Sequence, residues 1–476
     1  MKHKEVKQPS FSILVLAAGK ATRFKSERSK VLHPLAGLTL GEYALRTALT
    51  LGPDRIYVVV GHQAETVRRA FERPGLIFIE QKEQRGTGHA LLVARPELER
   101  CPSATLLVMA ADAPLLGAET LRLLIDAHTE ARADATVLTA VLDDPRGYGR
   151  IVRAGGTRIR AIVEEKIASA AEKKIREVNS AIICFDIPRL LARLSELTDQ
   201  NAQKEYLLTD LAAIFNRHRE KVIAFRAPDA REVMGINDRV ELARVEAILR
   251  RRKAETLMRA GVTVVNPEVT YIDEPVDVGP DTVIGPGASL LGKTTVGMAC
   301  WLGPYCTLTD STVGDRVTVR QSSVISNSTL APDAAVGPFA HLRDGAVLED
   351  GARIGNFVEV KKSRVGRGTK AQHLTYLGNA TLGDKVNIGA GTVTCNYDGQ
   401  NKFPTVIEDG VFIGSGTMLV APVRVEKGSY VAAGSTITED VPAGALGIGR
   451  APQVNKLGWV EKKAESKRRK PEKGEA

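Results

Sequence analysis

From about residue 278 onward the chain returns repeatedly to one dipeptide, an aliphatic residue followed by glycine. Val278-Gly279, Ile284-Gly285, Val296-Gly297, Leu302-Gly303, Val313-Gly314, Val336-Gly337, Ile354-Gly355, Val365-Gly366, Leu377-Gly378, Leu382-Gly383, Ile388-Gly389 and Ile413-Gly414 all share it, several of them six residues apart. A hexapeptide period of this kind marks a parallel β-helix. The aliphatic residue points into a narrow prism from each face, and the small residue after it is expected to permit the corner. A β-sandwich would need hairpins and their alternation, which this stretch lacks. The wider gaps suit inserted loops. Each short face buries little apolar surface, so stacking and oligomerisation must supply the stability.

The first half obeys another rule. Up to about residue 236, segments 12–16, 55–60, 76–79, 105–109 and 136–141 read as strands, and 40–49, 64–71, 89–94 and 119–130 as helices between them. This rhythm predicts a Rossmann-like, mostly parallel sheet covered on both faces, with ligands at the carboxyl ends of its strands. Residues 237–260 read as a linker helix with Asp238 as N-cap and Glu241 at N3. Val245, Ile248, Leu249 and Leu257 share one face of it, and Gly261 closes it. A chain of 476 residues exceeds one core, and a 43% hydrophobic fraction can supply two. The expected division is therefore a disordered extension (1–10), an α/β domain (11–236), a linker helix (237–261), a β-helix (262–450) and a basic, disordered tail (451–476).

Charge and cysteines narrow the setting. Much of the net charge of +10 sits in the tail, which reads as a solvated segment rather than a nucleic-acid arm. The remainder suits an enzyme that handles phosphorylated substrates. The 5 cysteines are scattered, with no C-x-x-C pair, which favours free thiols in a reducing cytoplasm over a disulfide frame or a zinc site. No apolar run is long enough for a bilayer, and 1–10 lacks a signal-peptide core, so neither membrane insertion nor export is expected.

Specific motifs add a resemblance that runs from about residue 12 to 450. LAAGKATRF, KVLHPLAG, EQRGTGHA, GYGRIVR, NAQKEYLLTD, GINDR, GNFVEVKKS, HLTYLGNATLGDKVNIGAGTVTCNYDGQNKF and GIGRAPQ resemble the bacterial bifunctional N-acetylglucosamine-1-phosphate uridylyltransferase/glucosamine-1-phosphate acetyltransferase family. The resemblance implies a nucleotidyltransferase domain, then a left-handed parallel β-helix that forms homotrimers with active sites between subunits. Its substrates would be glucosamine-1-phosphate, acetyl-CoA and UTP, with Mg2+ as cofactor.

A sugar phosphate attacking UTP is already an anionic nucleophile, so the first site must supply alignment and neutralisation. Leu16, Ala17, Ala18 and Gly19 would approach the nucleotide with their backbone, and Arg23 and Lys30 would offer a fork and a point charge to the triphosphate. The resemblance places Gln81, Gly86 and Thr87 at the uracil and ribose, and Gly149, Glu164 and Asn179 around the sugar, with Lys166 as a nearby phosphate partner. It makes Asp112 and Asn237 the magnesium ligands. His89 reads instead as a helix-start residue that bonds locally. Ala21, Ala111 and Ala181 stand where the family carries glycine, and Ser180 where it carries threonine.

For acetyl transfer, His373 is the candidate base, because imidazole can take an ammonium proton near neutral pH. Glu359 would orient or polarise it. Arg343, Lys361 and Lys402 are the implied phosphate and sugar clamp, with Tyr376, Asn387, Asn396 and Tyr397 as polar contacts. Ala390, Ser415, Ala433 and Arg450 would receive acetyl-CoA, and His341 stands where the family often has arginine. The alternative is a one-activity nucleotidyltransferase whose β-helix is only a scaffold. The His373–Lys402 block discriminates between the two, since a scaffold would not require it.

Overall fold

The computed structural model describes residues 10–20, 22–201 and 203–468. The expected N-terminal extension (but for Ser10), Ala21 and the last eight residues of the tail (469–476) lie outside them. The chain divides into two compact units. The first runs to Thr256 and includes Ile272–Pro275; the second takes Leu257–Tyr271 and the chain from Val276 onward.

The first unit is built on a nine-stranded sheet. Its elements are β1 (Phe11–Ala17), α1 (Leu40–Thr50), β2 (Ile56–Val60), α2 (Ala64–Phe71), β3 (Leu76–Glu80), α3 (Thr87–Leu98), β4 (Thr105–Ala110), α4 (Ala118–Ala131), β5 (Ala135–Val141), β6 (Arg150–Gly155), β7 (Arg158–Val163), β8 (Glu177–Asp186), α5 (Ile187–Arg193), α6 (Asp210–Arg217) and β9 (Val222–Arg226). The strand order is β3-β2-β1-β4-β8-β5-β9-β7-β6. Pairings among β3, β2, β1 and β4 are parallel, as is β5 with β9. Strand β8 runs antiparallel to both β4 and β5, and β6 and β7 form an antiparallel hairpin. Strand alternation splits the core in two. Ile13, Val15 and Ala17 pack on one face of the sheet, while Leu14 packs on the other with Tyr57, Val59 and Val108.

Helix α7 spans Arg239–Arg259. Asp238 Oδ1 accepts from the backbone N–H groups of Val240 and Glu241, both at 2.9 Å, and Glu241 reaches back to the N–H of Asn237 at 2.5 Å. This is a capping box shifted by one residue. At the other end Val262 N–H bonds Leu257 O and Gly261 N–H bonds Met258 O, with Gly261 at φ +95°, a Schellman stop. Val245 and Leu249 join Phe24, Leu35, Leu40, Tyr43 and Leu115, so the helix expected as a connector also completes a core of the first unit.

The second unit is a three-faced prism of parallel sheets with 11, 10 and 9 strands. Most strands are two or three residues long, and the inward residues Ile284, Leu290, Val296, Leu302 and Leu308 are buried. At most of these pairs the glycine has a different cause from the one expected, Gly337 with its φ of +93° being an exception. None of Gly279, Gly285, Gly297 or Gly303 has positive φ. A Cβ on Gly285 would lie 2.8 Å from Pro304 N, and one on Gly303 would lie 2.7 Å from Gln321 N, so it is the next coil that excludes a side chain. The left-handed residues come later, at positions such as Asp281, Ala299, Tyr305 and Phe339.

The tail also departs from expectation. Trp459–Arg468 forms helix α8, and its described side chains are exposed. Its lysines, glutamates and alanine are good helix formers, though a ten-residue helix with no packed face is marginal by itself.

Candidate active sites

In the first unit the loops after β1, β3 and β4 and the start of α3 enclose a cleft of about 470 Å³. Leu16, Ala17, Ala18, Gly19, Lys30, Gln81, Gly86, Thr87 and Asp112 line it, as the sequence implied. Lys20, Gln84, Ala181 and Glu205 line it too, and sequence reasoning gave none of them a contact. A cleft at the carboxyl ends of parallel strands is where this architecture holds ligands.

Two cations of the loops around it are held by acceptor oxygens. Lys30 is ion-paired with Asp112, and Arg23 Nη2 donates to Asn237 Oδ1 at 2.7 Å. Asp112 and Asn237 approach because Ile236 N–H donates to Asp112 O at 3.0 Å. Gln81 Nε2 bonds Gly86 O at 3.1 Å and lies 3.0 Å from His89 Nδ1, so His89 is a local partner of Gln81. Gly86 is required twice over. Its φ is +107°, and a Cβ there would meet Tyr206 O at 2.5 Å. Thr87 Oγ1 accepts the N–H of Leu208, which uses its hydroxyl to seat that loop.

Gly149, Glu164 and Asn179 are brought together. A Cβ on Gly149 would lie 3.6 Å from Glu164 Oε1 and 3.7 Å from Asn179 Cβ. Asn179 N–H donates to Gly149 O at 2.8 Å, and Glu164 Oε1 accepts from Thr209 Oγ1 at 3.0 Å. Lys166 is exposed on the following turn. Beside Asn179 the register of β8 on β5 slips, and Ala181 takes φ +61° there. Its N–H donates to Asn179 Oδ1 at 3.1 Å.

On the β-helix the candidates follow one corner. Coil-to-coil bonds run from Leu374 N–H to Asn356 O, Gly391 N–H to His373 O, Gly416 N–H to Ala390 O and Gly434 N–H to Ser415 O. Asn356, His373, Ala390 and Ser415 therefore occupy equivalent places on successive rungs, and Gly414 packs against Ala433 on the next. Arg450 Cδ comes within 3.9 Å of a Cβ built on Gly434. His373 Nδ1 faces Asn356 Oδ1 at 3.0 Å, one coil or 17 residues away. An oxygen at Nδ1 holds the proton there and leaves Nε2 free to accept one.

Glu359 does not serve His373. Its Oε1 is held by the Arg343 guanidinium at 2.8 Å, which raises the arginine's pKa. The orienting partner is Asn356, legible in principle as the residue one coil before the histidine. Arg343 and Lys361 occupy paired positions on adjacent coils of the neighbouring face. Lys361 has a depressed pKa, because Lys402 and Arg343 crowd it with positive charge. Three cations with only Asp344 and Glu359 among them form a site for an anion. Lys402 arrives on a loop closed by its bridge to Tyr397 and by Phe403 N–H on Asn396 O. Asn396 Nδ2 donates to Asn379 Oδ1 at 2.9 Å. Asn387 is exposed on the face that carries His373, between Lys370 and Phe412.

Comparison with known proteins agrees with both units. Residues 13–182 match the MobA-like NTP transferase domain, 268–370 the GMPPB C-terminal domain, and 404–439 the bacterial transferase hexapeptide (six repeats), the repeat of left-handed β-helices. The bifunctional protein GlmU of Koribacter versatilis is 48% identical over 97% of this chain and 99% of its own length. The proteins of that name from Trichlorobacter lovleyi and Carboxydothermus hydrogenoformans are each 48% identical, over 95% and 94% of this chain and 98% and 99% of their own. With such coverage of both halves, the chain belongs to the GlmU family of bifunctional proteins.

Proposed function

We propose that the chain makes UDP-N-acetylglucosamine in two steps. On the β-helix, acetyl-CoA acetylates the C2 amine of glucosamine-1-phosphate. In the α/β cleft, the resulting N-acetylglucosamine-1-phosphate attacks the α-phosphate of UTP and releases pyrophosphate. The observation that carries this reading is His373, held by Asn356 on the same ladder as Ala390 and Ser415. A passive scaffold has no use for an imidazole oriented by a side chain of the preceding coil.

For acetyl transfer, Nε2 of His373 takes the amine proton as the N–C bond forms, and the C–S bond then breaks as that proton passes to the departing sulfur, releasing CoA thiol. Arg343, Lys361 and Lys402 clamp the sugar phosphate, and the small corner residues leave room for the pantetheine arm, with Arg450 on a CoA phosphate. For uridylyl transfer, no base is needed. Arg23 and Lys30 turn from their carboxylate and amide partners toward the triphosphate, while Gln81 and Gly86 seat the base. Asp112 and Asn237 suit Mg2+: each offers one hard oxygen, and each oxygen already attracts a cation, Lys30 or Arg23. Bound there, magnesium would neutralise phosphate charge.

The active assembly in this reading is a homotrimer. Phe339, Phe357 and Leu374 form an exposed apolar ridge on the corner beside Asn356 and His373, with Phe339 and Phe357 stacked at 5.5 Å. A neighbouring copy that covers the ridge would also enclose the base. The free cysteines support a cytoplasmic setting, and no described helix is long and apolar enough to cross a membrane.

The deciding experiment supplies glucosamine-1-phosphate, acetyl-CoA, UTP and magnesium, and reads products by mass spectrometry. UDP-N-acetylglucosamine is expected. A lack of N-acetylated product would refute the acetyltransferase reading, and N-acetylglucosamine-1-phosphate accumulating unused would refute the uridylyl one.

A further inference from the structure

Among the described residues Arg150 is the largest fully buried side chain, 1% exposed, and it lies next to Gly149 in the chain. Its Nη2 lies 2.7 Å from Glu165 Oε2 as an ion pair without hydrogen-bond geometry, its Nη1 donates to Tyr148 O, and its Nε has no hydrogen-bond partner. Burying a guanidinium so incompletely satisfied is costly, so the position demands a reason beyond packing.

The strand register supplies one. Arg150 pairs with Val163 on β7 and with Val178 on β8, the only pairing between β6 and β8 among the described residues. The residue after each partner is a sugar-subsite residue, Glu164 and Asn179, and the residue before Arg150 is Gly149. Three strands thus converge on Arg150, each delivering one subsite residue beside it. Side chains alternate along a strand, so Gly149 and Glu164 face each other across the hairpin while Arg150 and Glu165 pair on the opposite side.

We infer that Arg150, through its ion pair with Glu165, is a positioning residue that fixes Gly149, Glu164 and Asn179 relative to one another, and so sets affinity for the sugar phosphate. This rests on the reading of those three residues as the sugar subsite. The guanidinium touches no substrate; it bolts the two turns that flank the subsite from behind. Loosening them should weaken sugar binding while leaving the nucleotide end untouched.

The test uses the full-length protein and measures pyrophosphate release while each substrate is varied. Arg150→Met is expected to raise KM for N-acetylglucosamine-1-phosphate about tenfold or more, with KM for UTP changed by less than about twofold. Because this variant can lose stability, a second one, Arg150→Met/Glu165→Gln, removes both charges. It should melt at a higher temperature than Arg150→Met and still show the raised sugar KM. Arg150→Lys should recover part of the sugar affinity, and acetyl transfer by the same samples reports that the β-helix is intact. A double variant with wild-type sugar KM, or equal rises in KM for both substrates, would overturn the assignment. Glu164→Gln is measured in parallel. If it leaves the sugar KM unchanged, both the subsite reading and the inference fail; if it raises the KM while the double variant does not, only the role of Arg150 fails.

Discussion

In the α/β unit the candidate site is a cleft, walled by loops that leave separate strands and meet from distant parts of the chain. On the β-helix it is a line, one residue per coil at the same corner, with its partner 17 residues away. The cleft obtains geometry from side chains that hold one another, such as Lys30 on Asp112 and Arg23 on Asn237. The line obtains it from backbone rungs and leaves its residues open on one side. A cleft can exclude water by itself, whereas a line needs something laid against it. In the proposed homotrimer, a copy covering the exposed apolar ridge would supply it.

Separable substitutions test this contrast. The largest effect is expected from His373→Ala, which should reduce acetyl transfer by roughly a thousandfold, within the usual range for a general base. Pyrophosphate release from UTP and N-acetylglucosamine-1-phosphate should continue, and loss of both activities would break the division of labour. Asp112→Ala should act in the opposite compartment, lowering uridylyl transfer about a hundredfold at limiting magnesium. Normal turnover in a magnesium titration of that variant would remove Asp112 from the metal site. Asn356→Ala leaves the imidazole but frees its tautomer; acetyl transfer should fall about tenfold with little change in KM. An unchanged rate would mean the rung beneath His373 does not orient it.

The smallest effect concerns strain within the cleft. Ala181 lines it at φ +61°, where a Cβ is disfavoured. Ala181→Gly should stabilise the first unit by about 1 kcal/mol, read as a higher melting temperature. Destabilisation would show that the methyl group contributes packing that outweighs the backbone cost.

How much of this could be read from the residues differs between the two units. The aliphatic-glycine period announced the prism because the same constraint recurs on every coil, although the crowding of the next coil, not the corner, is what demands glycine at Gly285 and Gly303. The parallel strands β1 to β4 were legible from their β-branched runs. The antiparallel course of β8 and the closure of β6 onto it were not, since strand direction leaves no mark on a short apolar segment. Among site residues, those carried by dense motifs, such as Lys30 and Gln81, line one cleft. Asn356 was missed because its link to His373 exists only once the coil length is known. Arg150 was missed because nothing in GYGRIVR distinguishes an arginine that is buried from one that faces solvent.

The ladder at the His373 corner has a further consequence, which concerns length. Neighbouring strands in any sheet stand about 4.8 Å apart, so His373, Ala390, Ser415 and Ala433 mark off three steps, or about 14 Å, in a nearly straight line. The coil between Ala390 and Ser415 carries the Lys402 loop, and equivalent residues across it are separated by 25 positions rather than 17, yet the step is the same. The prism is a ruler whose graduations do not change when a loop is added between them. With acetyl-CoA along this line, as proposed, a longer or shorter acyl carrier would have to be met by adding or deleting whole coils, while a loop could change without altering the spacing.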